Sequence, residues 1–183
     1  MTIHDRNILQ KFTYDFCHIV ETYCPYVIVS GFLAICSGRS RGTEDIDILI
    51  PRLPLETFKK LHQSLLHKFS LFNLENTPIE ELYEYLREGS NIRYVYIGTV
   101  IPNMELKFAK NEIDIDNITK RRKIELTNTD IYFAPIECAI AYKEYMGSDK
   151  DVEDAIHLRK VYDSEISEQS IKDYAIMIKR IQP

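Results

Sequence analysis

The clearest alternation of polar and apolar residues lies at Asp45–Ile50, whose sequence is Asp-Ile-Asp-Ile-Leu-Ile. Side chains alternate between the two faces of a strand, so this pattern predicts a strand with Asp45 and Asp47 on the same face. The isoleucines between them point to the opposite face, which must belong to a core. The apolar run Tyr26–Val29 predicts a second strand, which ends at a Ser-Gly pair.

Apolar residues at steps of three and four predict amphipathic helices elsewhere in the chain. The predicted helices cover about residues 5–23, 55–69, 78–88, 135–146, 151–162 and 167–181, with a single helical turn at 31–35. Further strands are predicted at about residues 71–75, 93–97, 104–108, 124–126 and 131–133. The first of these is expected to run parallel to the strand before it, and the next two are expected to pair.

This order of elements predicts an α+β fold with a mixed β-sheet core, flanking helices and a C-terminal helical subdomain. Residues 1–133 would form the core with its N-terminal helix, and residues 134–183 the helical subdomain packed on it. At 183 residues, of which 45% are apolar, the chain is long enough to bury a core of its own.

The composition also bears on the cellular setting. There is no run of eighteen apolar residues, so no membrane span is expected, and the polar N-terminus does not resemble a signal peptide. Cys17, Cys24, Cys36 and Cys138 lie in apolar segments without metal-ligand spacing. We therefore expect reduced, buried thiols in a cytoplasmic protein.

The formal net charge of −5 argues against a protein whose whole surface binds nucleic acid. One dense basic run, at 120–123, could still form a local patch for RNA. The alternative, which we favour from the sequence, is a solvated turn.

The predicted acidic strand has a chemical use. Two carboxylates held on one face of a strand suit a hard cation such as Mg²⁺, which prefers oxygen ligands. The nearby turn at Ser30 and Gly31 could offer backbone N–H groups to a phosphate. The alternative is an edge strand whose charges face water, but the strand that carries Asp45 and Asp47 is too apolar for an edge.

These residues resemble the motif of the nucleotidyltransferase superfamily, in which a Gly-Gly or Gly-Ser turn and a short helix precede Asp-x-Asp on the next strand. The spacing Arg-x-x-x-Asp-x-Asp, from Arg41 to Asp45 and Asp47, is similar to the abortive-infection and minimal-nucleotidyltransferase branches. This chain has Ser30-Gly31 where those branches usually have two glycines.

The resemblance implies a third carboxylate on a neighbouring strand. Glu105 lies between apolar residues in a predicted strand and is the favoured candidate. It could instead pair with Lys107, which lies two residues further on the same face. Asp114 and Asp116 also alternate with apolar residues and remain the competing candidates, although their surroundings suggest a loop.

The resemblance extends into the helical tail, where Lys143, Lys150, Asp151 and Asp154 match by position. Lys143 continues an inward-facing apolar stripe, so its ammonium either binds a triphosphate or reaches water past the core. Asp151 and Asp154 lie one helical turn apart, and we expect them to lock their helix to the core or to Lys143.

Two arginines flank the predicted loop after the Ser-Gly turn. Arg41 matches the position of the motif and could bind phosphate through its planar guanidinium. Arg39 is expected to be a solvated surface residue.

The resemblance implies an enzyme that transfers a nucleoside monophosphate from a nucleoside triphosphate to an acceptor hydroxyl. Asp45, Asp47 and Glu105 would hold two Mg²⁺ ions, one orienting the triphosphate and the other activating the acceptor. Ser30, Gly31, Arg41 and Lys143 would bind the nucleotide, with Lys143 on the leaving pyrophosphate. The acceptor could be a small molecule, an RNA end or a protein side chain.

A second hypothesis keeps the fold without the reaction. The protein would then be a catalytically inactive relative that works as a binding or antitoxin-like regulatory partner of a second chain. The serine at position 30 and the acidic surface are the features that favour it.

Overall fold

The computed structural model describes residues 3–181, and the side chains of all of them except residues 3–7 and 126. The helices are α1 (Ile3–Glu21), α2 (Phe32–Cys36), α3 (Leu55–Leu65), α4 (Ile79–Arg87), α5 (Glu112–Thr119), α6 (Ile136–Met146), α7 (Asp149–Val161) and α8 (Glu168–Ile181). The strands are β1 (Val27–Val29), β2 (Asp45–Ile50), β3 (Phe69–Leu71), β4 (Ile92–Tyr96), β5 (Asn103–Phe108), β6 (Arg122–Lys123) and β7 (Tyr132–Phe133).

The strands form one mixed sheet in the order β3-β4-β5-β2-β1-β7-β6. The acidic strand β2 lies inside it, antiparallel to β1 and parallel to β5. The edge-strand alternative for Asp45 and Asp47 is therefore wrong. Each neighbouring strand places its own side chains beside theirs.

The hydrophobic core covers the face of the sheet opposite the acidic pair. Ile46, Ile48, Met104 and Leu106 are fully buried there, together with aromatic side chains from α1 and α3. The same cluster of buried residues continues into α6, α7 and α8. A smaller cluster, which includes Leu49, lies on the site face next to α5 and α6. Asp45 and Asp47 therefore extend from a sheet that packs against apolar side chains on both faces.

The fold class predicted from the sequence, a mixed-sheet α+β fold with C-terminal helices, is confirmed. The last strand ends at Phe133 and α6 begins at Ile136. The division into residues 1–133 and 134–183 stays a prediction.

Two of the predicted strands lie elsewhere or are not strands. The strand expected at 71–75 is Phe69–Leu71, and it is an edge strand antiparallel to β4. The strand expected at 124–126 is replaced by a short 3₁₀ turn, Glu125–Thr127.

The basic run at 120–123 begins in a turn and continues into β6, and Lys120, Arg122 and Lys123 are exposed, so the predicted solvated segment is largely confirmed. Each of its four side chains also contacts a partner. Lys120 pairs with Asp116 at 2.8 Å, and the guanidinium of Arg121 lies 4.2 Å from the centre of the Tyr132 ring. Arg122 and Lys123 pair with acids as well. The run therefore gives no support to an RNA site.

The structure bears on two expectations, that the cysteines are buried thiols and that no segment spans a membrane. The four cysteines are free thiols and all are buried, as predicted. Within residues 3–181, the helices are too short or too polar to cross a membrane.

Candidate functional site

The turn after β1 is built tightly around one arginine. Ser30 has a φ of +71°, in the left-handed region that side chains disfavour. Gly31 has an ordinary φ of −73°, but a Cβ atom placed there would lie 2.3 Å from Nη2 of Arg41. Gly31 is therefore needed for space rather than for backbone freedom, because the guanidinium of Arg41 lies against it.

Asp45 and Asp47 extend from the same face of β2, as the alternation predicts. Asp45 is exposed, and its Oδ1 accepts a 2.7 Å hydrogen bond from Nδ2 of Asn103, its neighbour in register on β5. The Oδ1 atom of Asn103 is buried and has no hydrogen-bond partner among the described residues. Two carboxylates and an amide oxygen without a partner thus lie close together at this end of β2.

Glu105 lies directly beside Asp47, since the two residues are in register on parallel strands. It is buried, and donors reach both of its oxygens: Arg93 at 2.8 Å on Oε1 and Asn91 at 2.6 Å on Oε2. Burial on its own raises the pKa of Glu105, but Lys107 and Arg93 outweigh it and lower the pKa below the ordinary value. Glu105 is therefore a charged carboxylate on the site face.

Lys107 lies between the two acids. Its Nζ atom is 2.5 Å from Oδ1 of Asp47 and 3.0 Å from Oε2 of Glu105. Burial alone lowers the pKa of Lys107, but Asp47 and then Glu105 raise it above 10.5. The lysine thus remains an ammonium that bridges two carboxylates.

The fully buried Asp154 joins α7 to the rest of the site. Its Oδ2 accepts from Nη1 of Arg41 at 2.8 Å and lies 2.7 Å from Nζ of Lys143. Lys143 is also buried and donates to Asp151 at 3.0 Å. The expectation that Asp151 and Asp154 lock their helix to Lys143 is confirmed, and it is these acids that partner the buried ammonium.

The expectation that Arg39 is a solvated surface residue is wrong. Its side chain is 14% exposed, and Nη1 lies 2.8 Å from Oδ1 of Asp154, which makes an ion pair without the alignment of a hydrogen bond. Arg39 also pairs with Glu153 at 2.5 Å. A buried carboxylate on α7 attracts it, and nothing in the local sequence of the loop reveals that carboxylate.

A cavity of about 460 Å³ opens between the acidic strand, α5 and α6. Among the residues that the structure describes, five basic and three acidic side chains line it, although the whole chain has a formal charge of −5. The basic ones are Arg41, Lys107, Lys110, Lys143 and Lys150. Apolar atoms, including those of Leu49, complete the wall. A volume and lining of this kind suit a small anion that also has an apolar part.

The competing candidates for the third acid lie on α5 and not on a strand. Asp114 lines the cavity, and its Oδ2 accepts from the backbone N–H of Lys110 at the start of that helix. Asp116 accepts from the hydroxyl of Tyr174 at 2.6 Å and does not line the cavity. Glu105 is the acid that the sheet places next to Asp47.

The oxygen atoms around Asp45 fit a hard cation better than those of Glu105 do. Within the described part of the chain, no three His, Cys, Asp or Glu side chains form a ready-made metal site. Asp45 and Asp47, with the amide of Asn103 beside them, offer oxygen ligands that Mg²⁺ accepts. The oxygens of Glu105 already have nitrogen donors.

The pairing of Glu105 with Lys107, the alternative given by the sequence, is confirmed at 3.0 Å. Two further polar partners of Glu105, Asn91 and Arg93, were not predicted. The signal for Arg93 was present, because antiparallel pairing of the two predicted strands sets it opposite Glu105. The signal for Asn91, in the turn before β4, was absent.

Comparison with known proteins gives matches in structure only. No protein-family profile matches the sequence, and neither does any curated protein. The crystal structure of an antigenic nucleotidyltransferase-like protein from Paracoccidioides brasiliensis aligns over 94% of this chain and 87% of that one, with 14% identity and a TM-score of 0.54. A solution structure of the antibiotic-resistance factor ANT(2'')-Ia aligns over 94% of both chains, with 10% identity and a TM-score of 0.49. The chain therefore has a nucleotidyltransferase-like fold.

Proposed function

We propose that this protein is a metal-dependent nucleotidyltransferase that transfers a nucleoside monophosphate from a nucleoside triphosphate to an acceptor hydroxyl. The observation that carries the proposal is the cavity that joins Asp47 at one end to Arg41 and Lys143 at the other. One of the proposed metal ligands, Asp47, and the cations proposed for the phosphates line one cavity, whereas Asp45 and Glu105 lie beside it. The fold that carries them is nucleotidyltransferase-like.

In the proposed reaction, the acceptor oxygen attacks the α-phosphorus of the triphosphate. A new O–P bond forms, the bond from the α-phosphorus to the bridging oxygen breaks, and pyrophosphate leaves with that electron pair. The acceptor proton passes to a carboxylate of the site or to water. Mg²⁺, when bound, would neutralise charge on the phosphates and lower the pKa of the acceptor hydroxyl.

Each side chain has a role in this proposal. Asp45 and Asp47 are the metal ligands, and Glu105 is the third acid beside them. Ser30 and Gly31 lie at the turn that approaches the phosphates, and Arg41 and Lys143 stabilise the charge of the leaving pyrophosphate. Asp47 is the position at which these roles are best tested, because it lines the cavity and contacts Lys107 beside Glu105.

The substrate is a nucleoside triphosphate, and the acceptor is a small molecule, an RNA end or a protein side chain. The basic run at 120–123 is paired with nearby acids and a tyrosine ring, so it does not by itself favour RNA. The buried free thiols fit a reducing compartment, so the cytoplasm is the proposed location.

The direct test supplies α-³²P-labelled ATP, CTP, GTP and UTP with Mg²⁺ and pools of cytosolic RNA, small metabolites and protein. Label should move to one pool with the wild-type protein and stay on the nucleotide with Asp47→Asn. Equal labelling by both proteins would refute the proposal. Asp163→Asn serves as a control, because Asp163 is an exposed residue beyond α7 that does not line the cavity.

A second candidate function is an inactive relative that binds a partner protein, in the manner of an antitoxin-like regulator. One observation favours it: Arg41, Lys143 and Glu105 all have partners within the chain. Under this alternative Asp47→Asn would leave partner binding unchanged, and no triphosphate would bind. A relation to the abortive-infection and minimal-nucleotidyltransferase branches is proposed under either function, and it rests on the sequence motif alone.

A further inference from the structure

The ammonium of Lys107 lies where a cation shared by the acids would lie. It contacts Asp47 at 2.5 Å and Glu105 at 3.0 Å, from the same face of β5 that carries Glu105. These distances join it to both acids at once, so it supplies one positive charge to the pair. The sequence expectation placed a metal ion in this role.

Both carboxylate oxygens of Glu105 are occupied by nitrogen donors, which leaves no oxygen for a metal ion. Its Oε1 lies 2.6 Å from Nη2 of Arg93, and its Oε2 accepts from Asn91 at 2.6 Å as well as from Lys107. A divalent ion on Glu105 would have to displace Lys107 from a carboxylate that is 7% exposed. A displaced Lys107 would lose its carboxylate partner, and an unpaired ammonium costs free energy where it is partly buried.

The other end of the acidic group differs. Asp45 is exposed and makes no ion pair within the described part of the chain. Its neighbour Asn103 carries the buried amide oxygen that has no hydrogen-bond partner there. Asp45 can therefore accept a hard cation without breaking an ion pair, whereas Asp47 would share itself between the cation and Lys107, which contacts its Oδ1.

We propose that Lys107 fills one of the two cation positions of the site, so that the protein binds a single divalent ion, on Asp45 and Asp47. The proposal rests on the proposed nucleotidyl transfer and specifies its chemistry. The metal would serve the triphosphate. The ammonium, on the side of Glu105, would take the place of the ion expected to activate the acceptor, and would stabilise negative charge that develops on the acceptor oxygen.

The test counts bound metal in the absence of nucleotide. The wild-type protein is titrated with Mn²⁺ while free Mn²⁺ is followed by electron paramagnetic resonance, and a Mn²⁺-soaked crystal is measured for anomalous scattering. One Mn²⁺ per chain, next to Asp45 and Asp47, with Lys107 still on Glu105, is the expected result. Two Mn²⁺ ions with Lys107 displaced would overturn the inference and leave the proposed function standing. No bound Mn²⁺ would refute the metal-dependent function itself.

Lys107→Met provides the matched variant, since it removes the charge and keeps most of the volume. It should bind two Mn²⁺ ions where the wild type binds one, and its melting temperature should rise more on addition of Mn²⁺. Lys110→Met removes the same charge from another cavity-lining lysine, beside Gly89, and should still bind one ion. A single ion in Lys107→Met would overturn the inference. The wild-type anomalous map decides the question even if the variant does not fold.

Discussion

Ser30 is the residue whose backbone carries the clearest strain. Its φ of +71° is one that glycine adopts freely and serine does not. Serine stands here where the related motif usually has glycine, and its small size fits the exposed position. The structure adds that the position requires a left-handed backbone, which explains why glycine suits it.

Ser30→Gly should therefore stabilise the protein, by about 0.5–1 kcal/mol, because relief of strain exceeds the entropy that glycine adds to the unfolded chain. Urea denaturation measures the difference. Ser30→Ala keeps the strain and removes the hydroxyl, so it should not stabilise. A gain with alanine equal to that with glycine would contradict this explanation.

Gly31 and Arg41 should be coupled. The φ of Gly31 suits alanine, so the obstacle to Gly31→Ala is the guanidinium 2.3 Å from the new Cβ. In the wild type the substitution should cost about 1–2 kcal/mol, because Arg41 must leave Asp154. In an Arg41→Ala background it should cost nothing or stabilise. Unfolding of the four proteins in a double-mutant cycle measures the coupling, and additive effects would contradict it.

At this scale the sequence predicted which residues face the site better than it predicted what they contact. The alternation of β2 placed Asp45 and Asp47 on one face, because that depends only on the period of a strand. The contacts of Arg39 with Asp154, and of Lys107 with Asp47, depend on how distant segments are placed. Local pattern carries no information on such contacts.

Helix α7 is fastened to the site by one buried carboxylate. Arg39, Arg41 and Lys143 all pair with Asp154, which is 0% exposed. Asp154→Asn would leave three partly or fully buried cations short of a partner, so we expect a loss of about 3–5 kcal/mol in the free energy of unfolding. Chemical denaturation monitored by circular dichroism provides the measurement.

Glu153→Gln is the control for that prediction. Glu153 pairs with Arg39 from a side chain that is 67% exposed, so its loss should cost less than about 1 kcal/mol. Equal losses for the two substitutions would show that burial of Asp154 is not what fastens α7.

Helix α1 is tied to the far edge of the sheet by a titratable contact. Partial burial on its own raises the pKa of Asp15, but hydrogen bonds from Lys11, Lys68 and Tyr96 outweigh it and lower the pKa from 3.8 to about 2. Since the folded state lowers this pKa, Asp15 stabilises the protein above pH 4, and the contribution is lost as the pH falls toward 2.

Asp15→Asn should therefore lower the free energy of unfolding by about 1–2 kcal/mol at pH 7. The difference from the wild type should shrink between pH 4 and pH 2. Urea unfolding across this range measures it. A difference that is constant with pH would mean that Asp15 acts through packing rather than charge.

Helix α5 shows where the element prediction failed. Residues 113–116 alternate apolar and acidic side chains, which resembles a strand, and the following basic run suggested a loop. In the structure Asn111 caps a helix by accepting from the backbone N–H of Asp114. A segment this short fits both periods, and the cap decides it. The longer helices α1, α3 and α6 have enough turns for the period to be unambiguous, and they were predicted.

At the scale of the whole molecule, charge is distributed unevenly. The chain carries −5 overall, while the cavity is lined by more basic than acidic side chains. The sequence could not show this, because the lining residues come from segments as distant as Ser30 and Asp151. The sequence did predict the fold class, because the order of strands and helices follows from local periodicity and does not require knowledge of the contacts.

The central claim is that the cavity binds a nucleoside triphosphate through a cation held by the acidic pair. Isothermal titration calorimetry of the wild-type protein with ATP, CTP, GTP and UTP in the presence of Mg²⁺, repeated with Asp47→Asn, tests it most directly. The account predicts that at least one triphosphate binds to the wild type and that its affinity falls at least tenfold, about 1.4 kcal/mol, in the variant. Absence of binding by all four, or binding that Asp47→Asn leaves unchanged, would contradict it.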